Sequence, residues 1–161
     1  LTPRAASPFP DSSVAFLAIA WMGLLIGVSF LATPVKFQAS SLELPVALEV
    51  GRVTFSAFSK VEWCLSVHLG LAVLSARTSR VEMLLTGIAI VIVAVQTYWL
   101  LPVLDARIET VIAGRSLPPS SHHMLYAGLE VCKAVGLAIL GLVSLYRLGW
   151  CDRPEAGTSS P

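Results

Sequence analysis

Between Asp11 and Lys36 the chain runs through 24 residues without a charge, SSVAFLAIAWMGLLIGVSFLATPV, and between Glu82 and Asp105 it runs through 22 more, MLLTGIAIVIVAVQTYWLLPVL. A hydrocarbon core about 30 Å thick takes about 20 residues of helix at 1.5 Å rise, so each run can cross it. Backbone in lipid must satisfy its own N–H and C=O groups, which commits such runs to helices. Composition agrees: 13% of the residues are charged and mean hydropathy is +0.77, against about 25% charged in a soluble domain.

Two further apolar stretches are too short to span unaided. Only 14 residues separate Glu62 from Arg77, and 13 separate Lys133 from Arg147. Half-spans would expose irregular backbone to lipid, so both must extend backwards and enclose charge. The expectation is an all-α, four-transmembrane-helix bundle over residues 13–148, with helices near 13–36, 53–76, 82–104 and 122–146. Pro- and Ser-rich tails at 1–12 and 149–161 are expected to be disordered. The first apolar run exceeds the h-region of a signal peptide and is read as a retained helix. Arg4, Arg77, Arg80, Arg147 and Arg153 fall on one side of such a bundle and Lys36, Arg52, Arg107 and Arg115 on the other, but Arg77 and Arg80 share a very short loop, where positive charge counts most for orientation. The positive-inside rule then places both termini in the cytoplasm, with the chain multi-pass in a bacterial-type inner membrane. The longer connections near 38–52 and 106–121 face outside, where Ile108, Val111 and Ile112 recur at helical spacing, as an interfacial extension would.

A shift of 68 residues lays Pro34 on Pro102, Glu62 on Glu130 and Cys64 on Cys132, and KVEWCLSVHLGLAVL on GLEVCKAVGLAILGL. Matches of Pro, Glu and Cys at one ungapped shift point to an ancestral two-helix duplication. Units with an even number of spans would run as parallel helical-hairpin repeats.

Counting inwards from the helix ends at 1.5 Å per residue puts Ser29, Glu62, Gln96 and Glu130 at about one depth, one from each helix. At 100° per residue Phe55, Phe58, Ser59, Leu65, Ser66 and Leu69 share the face of Glu62. His123, Tyr126, Ala127, Lys133, Ala134 and Leu137 share that of Glu130. Lys133, three residues on, can reach Glu130. Lys60 stands about 200° round from Glu62 and is expected to snorkel to the headgroups, so this adjacent pair need not be partners.

Each ionisable group at mid-membrane costs about 2.5–3.5 kcal/mol on insertion scales. Lys133 can compensate one carboxylate, and the second is expected to be protonated or to hold a cation. The candidate solute- or ion-binding residues are therefore Glu62, Glu130, Lys133, Gln96 and Ser29, with His123 at the entrance. The bland alternative is a buried pair that serves helix register alone.

The remaining residues carry weaker signals. His68 reads as a core or interfacial histidine, and His122 and His123 lack a histidine at matched depth for an axial haem pair. Cys64 and Cys132 lie about 200° from the Glu faces, and no zinc spacing occurs. Gly23 and Gly27, in GLLIG, form a close-packing motif, and Tyr98, Trp99 and Trp150 look like belt aromatics. No P-loop, Rossmann glycine pattern, nucleophile elbow or basic stripe is present. No catalytic residue, resident metal, cofactor or nucleic-acid partner is expected; the expected partners are the lipid bilayer and a second copy or another membrane protein.

WMGLLIGVSFLATPVKF, YWLLPVLDARIE and SHHMLYAGLEVCKAVGLAIL resemble segments of a small four-helix membrane family of unknown function, the transmembrane protein 205-like domain. Trp99 with Pro102 matches that family's end to its third helix. His123 with Glu130 matches its histidine seven residues ahead of a polar position, although an amide is typical where this chain has Glu130. The resemblance implies a four-helix fold and carries no information about mechanism.

Three functions fit these features, in descending order. They are binding or translocation of a small solute or cation through the polar layer, a structural or accessory role, and a haem or redox role.

Overall fold

The computed structural model describes residues 9–76, 78–115, 118 and 120–151, and among them all regular structure is helical. Four helices are long and apolar enough to cross a membrane: α1 (Ser12–Lys36), α2 (Leu44–Ser75), α3 (Arg80–Ile112) and α4 (His122–Gly149). They form the expected multi-pass four-helix bundle. α1 packs on α2 and α4, and α3 packs on the same two helices, so the bundle follows chain order and closes α4 onto α1. Phe16, Leu71, Leu74, Leu84, Val91 and Leu142 stay exposed around it. In water this would be an excessive apolar surface; in a bilayer it is the lipid-facing side.

Four helix limits differ from the sequence reading. α2 begins at Leu44, not near 53, because Pro45 supplies the preset φ of a first helical turn and Glu43 caps it in extended geometry. α3 continues past 104 to Ile112. It closes in a Schellman turn: Gly114, at φ +74°, donates to Val111 O, and Arg115 N–H donates to Thr110 O. The helical segment of α4 runs to Cys151, beyond 146, and that of α1 starts at Phe9, inside the expected tail. The rest of both tails, with Arg4, Arg77 and Arg153, lies outside the described residues.

α2 and α3 meet through a tight turn secured by a capping box. Ser79 N–H donates to Glu82 Oε2 at 2.6 Å and Glu82 N–H to Ser79 Oγ at 3.3 Å. With 32 and 33 residues, these helices are each about 50 Å long, against a core of about 30 Å. Their excess projects at the opposite end, beyond Lys36 and His122, and is called the mouth below.

α1 and α3 each contain one wide turn. Thr33 N–H donates to Val28 O and Leu101 N–H to Gln96 O, both five residues back. The next residue in each case is a proline, Pro34 or Pro102. Proline cannot donate, and its ring presses on the carbonyl four residues earlier; an extra residue in the turn relieves both defects.

Val14, Ala18, Trp21, Leu69, Val73, Ala89, Val93, Leu137 and Leu140 fill the bundle between its polar ends. α1 and α4 approach closely at Gly141, where a Cβ would stand 2.9 Å from Ile19 Cγ1 and 3.9 Å from Ala18 Cβ. Gly141→Leu is therefore expected to destabilise the bundle by about 1–3 kcal/mol through overpacking. A lowered unfolding midpoint in mixed detergent micelles is the readout, and an unchanged midpoint would mean that these helices are not so close.

Candidate functional site

The wide turns of α1 and α3 carry Ser29 and Gln96, α2 carries Glu62, and α4 carries Glu130 and Lys133 one turn apart. The structure joins all five. Lys133 Nζ lies 2.5 Å from Glu62 Oε1 and 2.8 Å from Glu130 Oε1, and donates to Gln96 Oε1 at 2.7 Å. An ammonium has three N–H donors, and three oxygens from α2, α3 and α4 meet them. Gln96 Nε2 donates to Glu130 Oε1 at 2.8 Å and Ser29 Oγ to Glu130 Oε2 at 2.7 Å. Glu62, Gln96, Glu130 and Lys133 are each at most 2% exposed.

Trp21 completes the cluster from α1, its indole N–H donating to Glu62 Oε1 at 3.1 Å. Among the described residues, the contacts to Glu62 thus converge on Oε1, which leaves Oε2 as its open acceptor. One turn further from the mouth, Ser66 Oγ is buried without a hydrogen-bond partner among the described residues. A buried orphan hydroxyl costs about 1–3 kcal/mol unless a water or ion meets it.

His123 is exposed and makes no hydrogen bond to the cluster among the described residues; it stands on the wall of the approach. That approach is a cavity of about 520 Å³ whose lining includes Ser29, Thr33, Phe55, His123, Tyr126 and Glu130. Phe55 and Tyr126, edge to face with centroids 5.4 Å apart, also line a larger cavity nearer the mouth. On the far side of the cluster the apolar residues between α1, α2, α3 and α4 close the bundle.

Lys60 is exposed and borders a surface groove with Arg52, Ser56 and Asp105, away from Glu62. Cys64 and Cys132 are both exposed. His68 is also on the outer surface, its Nδ1 2.7 Å from Cys64 O. Among the described residues no group of three or more His, Cys, Asp or Glu is placed to hold a metal ion.

The sequence reading did not anticipate Trp21 as a member of the cluster, nor a second buried carboxylate at the far end. Glu82, 1% exposed, accepts from Ser144 Oγ at 2.7 Å and pairs with Arg147, tying the start of α3 to the end of α4. Its visible signal was SRVE at 79–82, a capping-box spacing. Ser59 and Trp63 both bond Thr97 Oγ1 beside the main cluster, at 2.8 and 3.1 Å.

No protein-family model, curated protein or solved structure matches this chain.

Proposed function

We propose that this membrane protein binds a proton reversibly at the Glu62–Glu130–Lys133–Gln96 cluster and exchanges it through the mouth-side cavity, as part of moving a small solute or ion. One observation carries the reading: two buried carboxylates share a single ammonium. With both ionised, the cluster holds one surplus negative charge in a medium where an uncompensated charge is very costly. One proton neutralises that surplus. Glu62 Oε2 is the open acceptor among the described residues. A metal cation is less well served, because Lys36, Arg52, Arg107 and Arg115 line the larger cavity nearer the mouth against one carboxylate on its wall, Asp105.

The duplication belongs to the same proposal. The 68-residue shift that superposes Glu62 on Glu130 also carries the Val28–Thr33 turn onto the Gln96–Leu101 turn. Wide turns in helices occur frequently at functional sites. The resemblance to the transmembrane protein 205-like domain is retained as a proposal of kinship alone. A purely structural role is favoured by one fact, the complete use of the three Lys133 donors.

Proton uptake into liposomes, driven by a potassium-diffusion potential and read with a trapped pH dye, separates the two. Glu62→Gln and Glu130→Gln are expected to fold and to reduce uptake at least tenfold. The infrared band of a protonated carboxyl should be present in the parent and lost in Glu62→Gln. If both variants take up protons as the parent does and the band is unchanged, the cluster is a packing device.

A further inference from the structure

The cavity nearest the mouth, about 600 Å³ in volume, sits where α2 and α3 overshoot the bilayer core. Its walls are apolar: Leu48 and Phe55 from α2, and Leu101, Leu104, Ile108 and Val111 from α3. An apolar cavity at headgroup level, where water is available, is unfavourable unless something covers it.

The rim is basic, and its cations are unequally engaged. Arg52 is held by Glu49 at 2.8 Å and Glu109 at 2.9 Å. Lys36, Arg107 and Arg115 have no carboxylate partner among the described residues. Lys36 Nζ lies over the Phe37 ring and against Gly51, and Arg107 donates to Pro118 O. Asp105 is the carboxylate on the cavity wall. Free cations around an apolar cavity complement a ligand with an anionic head and a hydrocarbon body.

We infer that this cavity binds a single-chain anionic amphiphile, a long-chain fatty acid, its carboxylate on Lys36 and Arg115 and its chain along Leu48, Leu104 and Ile108. Size selects the single chain. At about 30 Å³ for each water-sized group in a liquid, 600 Å³ holds about 20 groups, the size of one long-chain acid and under half of a two-chain phospholipid. Location selects the class, because the surrounding bilayer supplies such amphiphiles laterally at high local concentration. The head stays at the rim because the cations without a carboxylate partner among the described residues stand there. The inference is independent of the proton reading, since neither Lys36, Arg115 nor Leu104 belongs to the cluster.

The test is calorimetric titration of the full chain in nanodiscs of neutral lipid with oleate, oleyl alcohol and inorganic phosphate, with phosphatidylglycerol vesicles as competitor. Oleate is expected to bind saturably, one per chain. Lys36→Gln with Arg115→Gln should weaken oleate at least tenfold and leave oleyl alcohol within about twofold. Leu104→Trp, which fills the cavity, should weaken both at least tenfold while the helical circular dichroism stays at the parental level. Non-saturable oleate uptake, or equal oleate affinity in the parent and the double variant, overturns the inference. So does displacement by inorganic phosphate or phosphatidylglycerol as effective as by oleate itself, which would make the site a headgroup or anion patch.

Discussion

Lys133→Met is expected to destabilise the folded bundle by about 3–5 kcal/mol, the cost of removing one partner from a buried ion pair. The reason is geometric. The same Nζ faces Glu62 Oε1 at 2.5 Å and Glu130 Oε1 at 2.8 Å, with Gln96 Oε1 at 2.7 Å. Without it, two carboxylates from α2 and α4 confront each other at 1–2% exposure with no cation between them. Coulomb attraction and desolvation nearly cancel in an intact buried pair, so the large effect comes from the charge left behind. Adding Glu62→Gln and Glu130→Gln to Lys133→Met should therefore recover most of the loss. Unfolding midpoints in mixed micelles give both numbers, and a Lys133→Met midpoint equal to the parent's would be incompatible with a shared ammonium.

Trp21→Ala is the second large effect, expected at about 3 kcal/mol. Trp21 is fully buried between α1 and its neighbours. In soluble cores a Trp→Ala change costs about 3–5 kcal/mol. In lipid the transfer part falls away and the cavity part remains, which argues for the lower end. Trp21→Phe keeps most of the ring volume and removes the indole N–H that reaches Glu62 Oε1 at 3.1 Å. A hydrogen bond to a charged group is worth about 1.5–3 kcal/mol, so the phenylalanine variant should recover at most half of the alanine loss. If phenylalanine is indistinguishable from tryptophan, the indole does not serve the cluster.

The helices were legible because charge is so sparse here: the uncharged runs of α1 and α3 admit one reading, and the enclosed charges of α2 and α4 force two more. Inward faces were legible too, since a rotation of 100° per residue sorts Phe55, Phe58, Ser59, Glu62, Leu65, Ser66 and Leu69 onto one side, and all are buried except Phe55 and Leu65, which are half-buried. Rotation and depth do not give distances between helices. The reach of Lys133 across to Glu62, in addition to its neighbour Glu130, depends on how closely α2 and α4 approach, which packing decides. Trp21 escaped notice for the same reason: an indole in an apolar run reveals a hydrogen bond only when its partner helix is known.

Limits of helices were less legible because the span criterion stops at the first polar residues. Pro45 after Glu43, and Gly114 after Val111 and Ile112, were the local start and stop signals that carry α2 and α3 beyond the bilayer. Those extra turns are what create the apolar cavity at the mouth. Pro34 and Pro102 were visible as an alignment, but their consequence, a widened turn that delivers Ser29 and Gln96 into one layer, follows only from the backbone hydrogen bonds.

The most direct measurement is solid-state NMR dipolar recoupling between ¹⁵Nζ of Lys133 and the side-chain carboxyl carbons of Glu62 and Glu130, in protein reconstituted in lipid. Strong couplings to both carbons are predicted. Coupling to Glu130 alone, the neighbour one turn away on the same helix, would contradict the shared cluster and leave an ordinary intrahelical pair.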